Sequence, residues 1–307
     1  MTKSPKHASG VFAAALTPLT ADLSPDVARL AGHCRWLLDH GCDGLAVLGT
    51  TGEANSFSVD ERLAILEGLA EAGIPGRALM PGTGCCAVPD TVRLTRRAVE
   101  LGAAGVLVLP PFYYKNVSDD GLFAAYSEVI ERVGDTRLKV YLYHFPQMSA
   151  VPIGYGLIER LLDRYPDTVA GMKDSSGDLD NMTGAARAFP GFAVFSGSEE
   201  LFLPLLRAGG AGCITAANNV ASPLAARVYA GWREGNDIEA DNGLLVAVRQ
   251  AIVRYPLSAA LKEIMARLTG DGDWRRVRPP LRPMEDGDAE ALAGALDDIG
   301  YTPPPPP

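Results

Sequence analysis

KVYLYHFPQMSAVPIGYGLIERLLDRYPDTVAGMKD, residues 139–174, decides the fold. Two runs that are apolar almost throughout, 139 to 145 and 169 to 174, enclose a helical pattern. A strand of that kind is covered on both faces, as parallel strands are when crossover helices pack on either side. Similar runs recur at 10 to 16, 43 to 48, 77 to 81, 105 to 109, 192 to 196 and 211 to 215. Eight strands in alternation with helices favour an α/β, (β/α)8 TIM barrel over an open doubly wound sheet.

Helix starts are marked by Ser24 before Pro25, by Ser58 with Glu61 three residues on as a capping box, and by Ser222 before Pro223. Beyond the eighth run, residues 222 to 270 read as mostly helical and 286 to 298 as a last helix. The expected organisation is a barrel over 1–225 carrying the active site, a C-terminal helical appendage over 226–300, and a proline-rich tail, 301–307, extended and without a part in the chemistry.

The chain has 307 residues, 47% of them hydrophobic, enough for one barrel of about 250 residues and an appendage. A net charge of -9, with no basic stripe, argues against nucleic-acid binding. Five cysteines in no Cys-x-x-Cys spacing read as reduced, incidental thiols. The N-terminus lacks an apolar run and no stretch is long and apolar enough to span a bilayer, so a cytoplasmic location is expected. Four histidines without a His-x-x-x-His pair give no metal site, and neither metal nor cofactor is expected.

In a barrel, chemistry sits at the carboxyl ends of strands. At the sixth, GMKDSSGD (171–178), period-two alternation puts Gly171, Lys173 and Ser175 on one face, the two small residues leaving room for a substrate beside the lysine. Burial of an amine favours its neutral form, the nucleophile that attacks a carbonyl. The bland alternative is a lysine that snorkels to solvent or pairs with a carboxylate. LGTTGE (48–53) offers Gly49 and the hydroxyls of Thr50 and Thr51 as a carboxylate cradle, or only a tight turn. Tyr143, at the end of the fifth strand, is placed either to shuttle protons beside Lys173 or simply to pack. Tyr113 and Tyr114 lie in a loop and need a site wall or a subunit contact to cover them.

Taken together, GTTGE (49–53), PPFYY (110–114), YHFP (143–146), GMKDSSGD (171–178) and GGAGCITAANNV (209–220) resemble the dihydrodipicolinate synthase and N-acetylneuraminate lyase family over about residues 10 to 280. The resemblance implies a Schiff-base lysine at Lys173 and a proton-transferring tyrosine at Tyr143. It implies that Thr50 and Thr51 relay protons and hold the carboxylate of a 2-oxo acid, and that Gly197 and Ile214 line the pyruvyl pocket. It further implies an inter-subunit tyrosine, matching Tyr113 counted from Pro111 or Tyr114 counted back from Gly121, and hence a homotetramer acting on pyruvate or another 2-oxo acid.

Two departures stand out. Histidine occupies 144, where the family usually has asparagine, and Met148 occupies the place of the arginine with which synthase members hold the carboxylate of aspartate semialdehyde. The expected activity is therefore a class I aldolase or lyase acting on a 4-hydroxy-2-oxo acid or 3-deoxy-2-oxo sugar acid. The alternatives are dihydrodipicolinate synthase or a Schiff-base dehydratase, and, more remotely, a non-catalytic sensor, which should have lost Lys173 or Tyr143.

Overall fold

The computed structural model describes residues 7–305. Along the chain run β1 (Gly10–Ala13), α1 (Val27–Asp39), β2 (Gly44–Leu45), α2 (Val59–Glu71), α3 (Val88–Glu100), β3 (Val106–Val108), α4 (Asp119–Val133), β4 (Val140–His144), α5 (Pro146–Ser149), α6 (Tyr155–Arg164), β5 (Val169–Asp174), α7 (Leu179–Ala188), β6 (Ala193–Ser196), α8 (Phe202–Arg207) and β7 (Gly212–Thr215). Four helices follow: α9 (Asn218–Glu234), α10 (Glu239–Ile252), α11 (Leu257–Thr269) and α12 (Asp286–Asp298). Two compact units emerge, one of residues 7–9 and 75–213, the other of residues 10–74 and 214–305.

In the first unit the parallel order is β7-β6-β5-β4-β3, and every residue of β3 to β6 is buried. The expected strand at 77 to 81 is not one. Gly76–Ala78 forms a 3₁₀ turn, and the extended residues after it reach β3 through two backbone bonds, Leu107 N to Pro81 O and Thr83 N to Leu107 O, and the residues just before β3 through a third, Ala104 N to Leu79 O, each 2.9 Å. Pro81 has no N–H to donate, which leaves only an isolated bridge, Gly82 to Leu107.

In the second unit β1 pairs with β2 and with β7, α9 packs on β1, α10 and α11 pack on α9, and α12 packs on α10 and α11. One helix start differs from expectation, while the start expected at Ser222 and Pro223 follows a break in α9 at Ala221. Asp26, not Ser24, caps α1, accepting from Arg29 N at 2.9 Å, because Pro25 is held in an antiparallel bridge to Leu19. Pro223 lies within α9, just after a break in helical geometry at Ala221, where its missing N–H costs no helical bond. The helix expected at 286–298 is α12. At the tail, the carbonyl of Pro305 accepts the Trp36 indole N–H at 2.7 Å, and the last two residues lie outside those described.

The capping box of α2 is present, Ser58 and Glu61 each bonding the other's backbone. Glu61 also receives both terminal nitrogens of Arg278, which, with the Ser58 bonds, hold its carboxyl down at about 2. A carboxyl lowered in the folded state contributes stability that is complete above its ordinary value near 4.3 and is lost as pH falls towards 2. Glu61→Gln should therefore melt below wild type at about pH 6, and the gap should close towards about pH 2.5. Thermal midpoints at the two pH values check this, and a gap that survives acidification would count against it.

Candidate active site

β4 and β5 pair in register with Tyr143 beside Lys173, and both side chains are buried, 3% and 5% exposed. The Lys173 amine donates to the Tyr143 phenol oxygen at 3.3 Å and lies 4.5 Å from the centre of the same ring. Strand alternation separates Lys173 from Asp174. The Asp174 carboxylate accepts from Asn181 Nδ2 on α7 at 2.6 Å and from Ser176 N at 2.7 Å, leaving the amine to the tyrosine and fixing the turn after the strand.

Gly171 does not provide the room expected of it. A Cβ there would sit 2.2 Å from the Ala193 carbonyl oxygen, so glycine is required for β5 to approach β6. Beyond the lysine, Ser175 and Gly197 touch: a Cβ on Gly197 would lie 2.2 Å from Ser175 Oγ, while Gly197 N donates to Asp174 O at 2.7 Å.

His144, the first departure, has a structural task. Its Nδ1 accepts from Ile153 N at 3.1 Å, tying β4 to the segment that enters α6. Burial lowers its pKa against the opposing pull of Asp174 and Asp178, which favours the neutral ring that such an acceptor needs. Met148 is 59% exposed on α5, next to Gln147, whose side-chain amide donates to Ser176 O at 2.5 Å. Tyr113 and Tyr114 are 74% and 72% exposed and pack edge-on against each other.

The second unit carries Gly49, Thr50 and Thr51 on the turn after β2, and Ile214, fully buried, on β7. Thr51 is buried and Thr50 half-buried. Leu48 and Glu53, with φ of 57° and 56°, bracket this turn in left-handed geometry, which costs a side-chain-bearing residue about 1–3 kcal/mol and tends to mark functional turns. Gly52 must be glycine, since its Cβ would meet Ala15 O at 2.7 Å.

Lys173 with Tyr143, and Ser175 with Gly197, are thus brought together in one unit, while the two threonines share a single turn in the other. Sequence reasoning missed the buried charges of this second unit, Glu53 and Lys262. The available signal was a lysine in the otherwise apolar stretch LSAALK (257–262). Burial pushes the thiols of Cys34 and Cys42 up to about 12, consistent with inert packing. Among the described residues, no three His, Cys, Asp or Glu side chains converge as a metal site, and no single helix is long and apolar enough to cross a membrane.

Residues 7–299 match the dihydrodipicolinate synthetase family. The chain belongs to this family. An uncharacterized DapA-like lyase of Chloroflexus aurantiacus is 37% identical, over 96% of this chain and 98% of its own length. A 4-hydroxy-tetrahydrodipicolinate synthase of Kineococcus radiotolerans is 33% identical, over 96% and 94%. Among solved structures, the dihydrodipicolinate synthase of Agrobacterium tumefaciens superposes with a TM-score of 0.87 at 30% identity, over 95% of this chain and 99% of that one. The family protein YagE of E. coli K12, solved in complex with pyruvate, gives 0.87 at 26%, over 96% and 99%. The fold class is accordingly the (β/α)8 TIM barrel with a C-terminal helical part, and the protein is a carbon-carbon lyase of the class I aldolase kind.

Proposed function

We propose that the protein cleaves or forms the C–C bond between pyruvate and an aldehyde through a Schiff base on Lys173, with a 4-hydroxy-2-oxo acid or 3-deoxy-2-oxo sugar acid as substrate. The observation that carries this reading is the buried Lys173–Tyr143 pair, an amine 3.3 Å from a phenol on neighbouring parallel strands. The amine adds to the C2 carbonyl, water leaves, and an imine forms. Tyr143 takes the proton of the 4-hydroxyl, the C3–C4 bond breaks, and its electrons pass into the imine to give an enamine as the aldehyde departs. Protonation at C3 and hydrolysis release pyruvate. In this reading Thr50 and Thr51 hold the carboxylate and relay protons, Gly49, Ser175, Gly197 and Ile214 wall the pyruvyl group, and the imine is the electron sink, so no metal or cofactor takes part. Tyr113, exposed in the single chain, reaches a neighbouring subunit of a homotetramer, and the enzyme works in the cytoplasm.

A dihydrodipicolinate synthase is the second reading, favoured by relatives such as the Kineococcus enzyme. Met148 weighs against it. A thioether is at best a weak acceptor and carries no charge, so it cannot replace an arginine that grips a carboxylate in two places. A lost bond to a charged group costs about 1.5–3 kcal/mol, so aspartate semialdehyde should be handled roughly ten- to a hundredfold less efficiently than by an arginine-bearing synthase. The test sets kcat/KM for pyruvate plus aspartate semialdehyde beside that for cleavage of several 4-hydroxy-2-oxo acids, followed by reduction of the released pyruvate with lactate dehydrogenase. A faster condensation would reverse the ranking.

A further inference from the structure

Glu53 and Lys262 are both fully buried, and the Lys262 amine donates to Glu53 Oε1 at 2.5 Å and to Arg276 O at 2.7 Å. The other carboxylate oxygen, Oε2, accepts Arg278 N–H at 2.9 Å. One turn earlier on α11, on the same face as Lys262, Ser258 donates its hydroxyl to the Thr51 carbonyl at 3.0 Å. Between these two points the Thr17 hydroxyl donates to Gly52 O at 2.8 Å. Three consecutive residues, 51 to 53, are thus each gripped by a side chain from elsewhere in the second unit.

The turn needs such a grip, because Leu48 and Glu53 are held in left-handed geometry that side-chain-bearing residues leave unless their surroundings enforce it. A buried ion pair is also poor evidence of a device for stability, since a well-packed apolar pair often does as well. What an apolar pair could not do is hold the end of this turn by hydrogen bonds to both carboxylate oxygens. Burial lowers the pKa of Lys262, and the Glu53 charge opposes that shift.

We propose that Glu53, Lys262 and Ser258 are positioning residues, through which helix α11 sets Thr50 and Thr51 for the 2-oxo acid. The proposal rests on the reading of those threonines as carboxylate- and proton-handling groups. Misplacement by about 1 Å of groups that orient a substrate costs up to roughly a hundredfold, which sets the scale of the effect.

The test uses the full chain with pyruvate alone. Borohydride trapping at increasing pyruvate reports half-saturation of the imine, and exchange of the pyruvate methyl protons in D2O reports enamine formation. Ser258→Ala should keep the wild-type thermal midpoint yet need roughly tenfold more pyruvate and exchange roughly tenfold more slowly. Ser258→Thr, which keeps the hydroxyl, should restore both. Lys262→Met alone strands a buried carboxylate, so Glu53→Gln is combined with it, and the folded double variant should show at least the same losses. If Ser258→Ala traps and exchanges as wild type does, or loses only thermal stability, the positioning role is overturned while the Schiff-base reading stands. Failure of wild type itself to trap pyruvate at Lys173 would remove the proposed function, and this inference with it.

Discussion

Borohydride added in the presence of pyruvate is expected to leave a stable mass on the peptide containing Lys173, and Lys173→Ala to lose both the label and turnover. The sequence has six lysines, so the competition can be judged residue by residue. Lys3 and Lys6 lie outside the described residues. Lys115 is exposed and donates to Ser149 O at 2.9 Å, and Lys139 reaches the Asp167 carbonyl at the surface. Lys262 is buried, but its amine is committed to Glu53 and to the Arg276 carbonyl, which leaves no approach for a carbonyl carbon. Among the described lysines, Lys173 alone combines burial with a phenol, rather than a carboxylate, as its partner. Removing a covalent nucleophile costs on the order of 10⁴- to 10⁶-fold in kcat, the largest effect expected of any substitution here. Label on a different lysine, or turnover by folded Lys173→Ala, would sink the Schiff-base reading.

The second largest effect is expected at Tyr143. Tyr143→Phe keeps the ring and so its stacking against Phe145, with centroids 5.8 Å apart, and removes only the hydroxyl that meets Lys173. The fold should therefore persist, while kcat for cleavage falls by about 10²- to 10⁴-fold, the range for loss of a positioned proton-transfer group. Methyl-proton exchange of pyruvate should fall with it. Circular dichroism beside steady-state kinetics separates the two possibilities, since a folded variant with near-normal kcat would reduce Tyr143 to a packing residue.

Local features of the sequence were legible because local rules govern them. The apolar runs became buried strands of a parallel sheet, since burial on both faces leaves its mark within each run. The Ser58–Glu61 box and the helix at 286–298 needed only neighbours within a turn or so. Alternation set Lys173 on one face with Gly171 and Ser175, whereas the register that places Tyr143 beside it on the neighbouring strand is a fact of the sheet. Even locally, Pro81 interrupted the ladder of an expected strand, and the bridge between Leu19 and Pro25 moved the start of α1 to Asp26.

What the sequence by itself determined, then, is the alternation of strands and helices, the family, and the identity of the groups able to do chemistry. Only the tertiary structure decided which of those groups are held and by what. Gly171 turned out to serve the approach of β6 and not an open pocket, because the nearest atom to its missing Cβ is the backbone of Ala193. His144 became an acceptor for Ile153 N, nine residues on. Glu53 and Lys262 are 209 positions apart, and neither residue's surroundings in the sequence name the other. Two charges excluded from water must find partners wherever the folded chain brings them, and that choice is made by packing at a distance, beyond the reach of any local pattern.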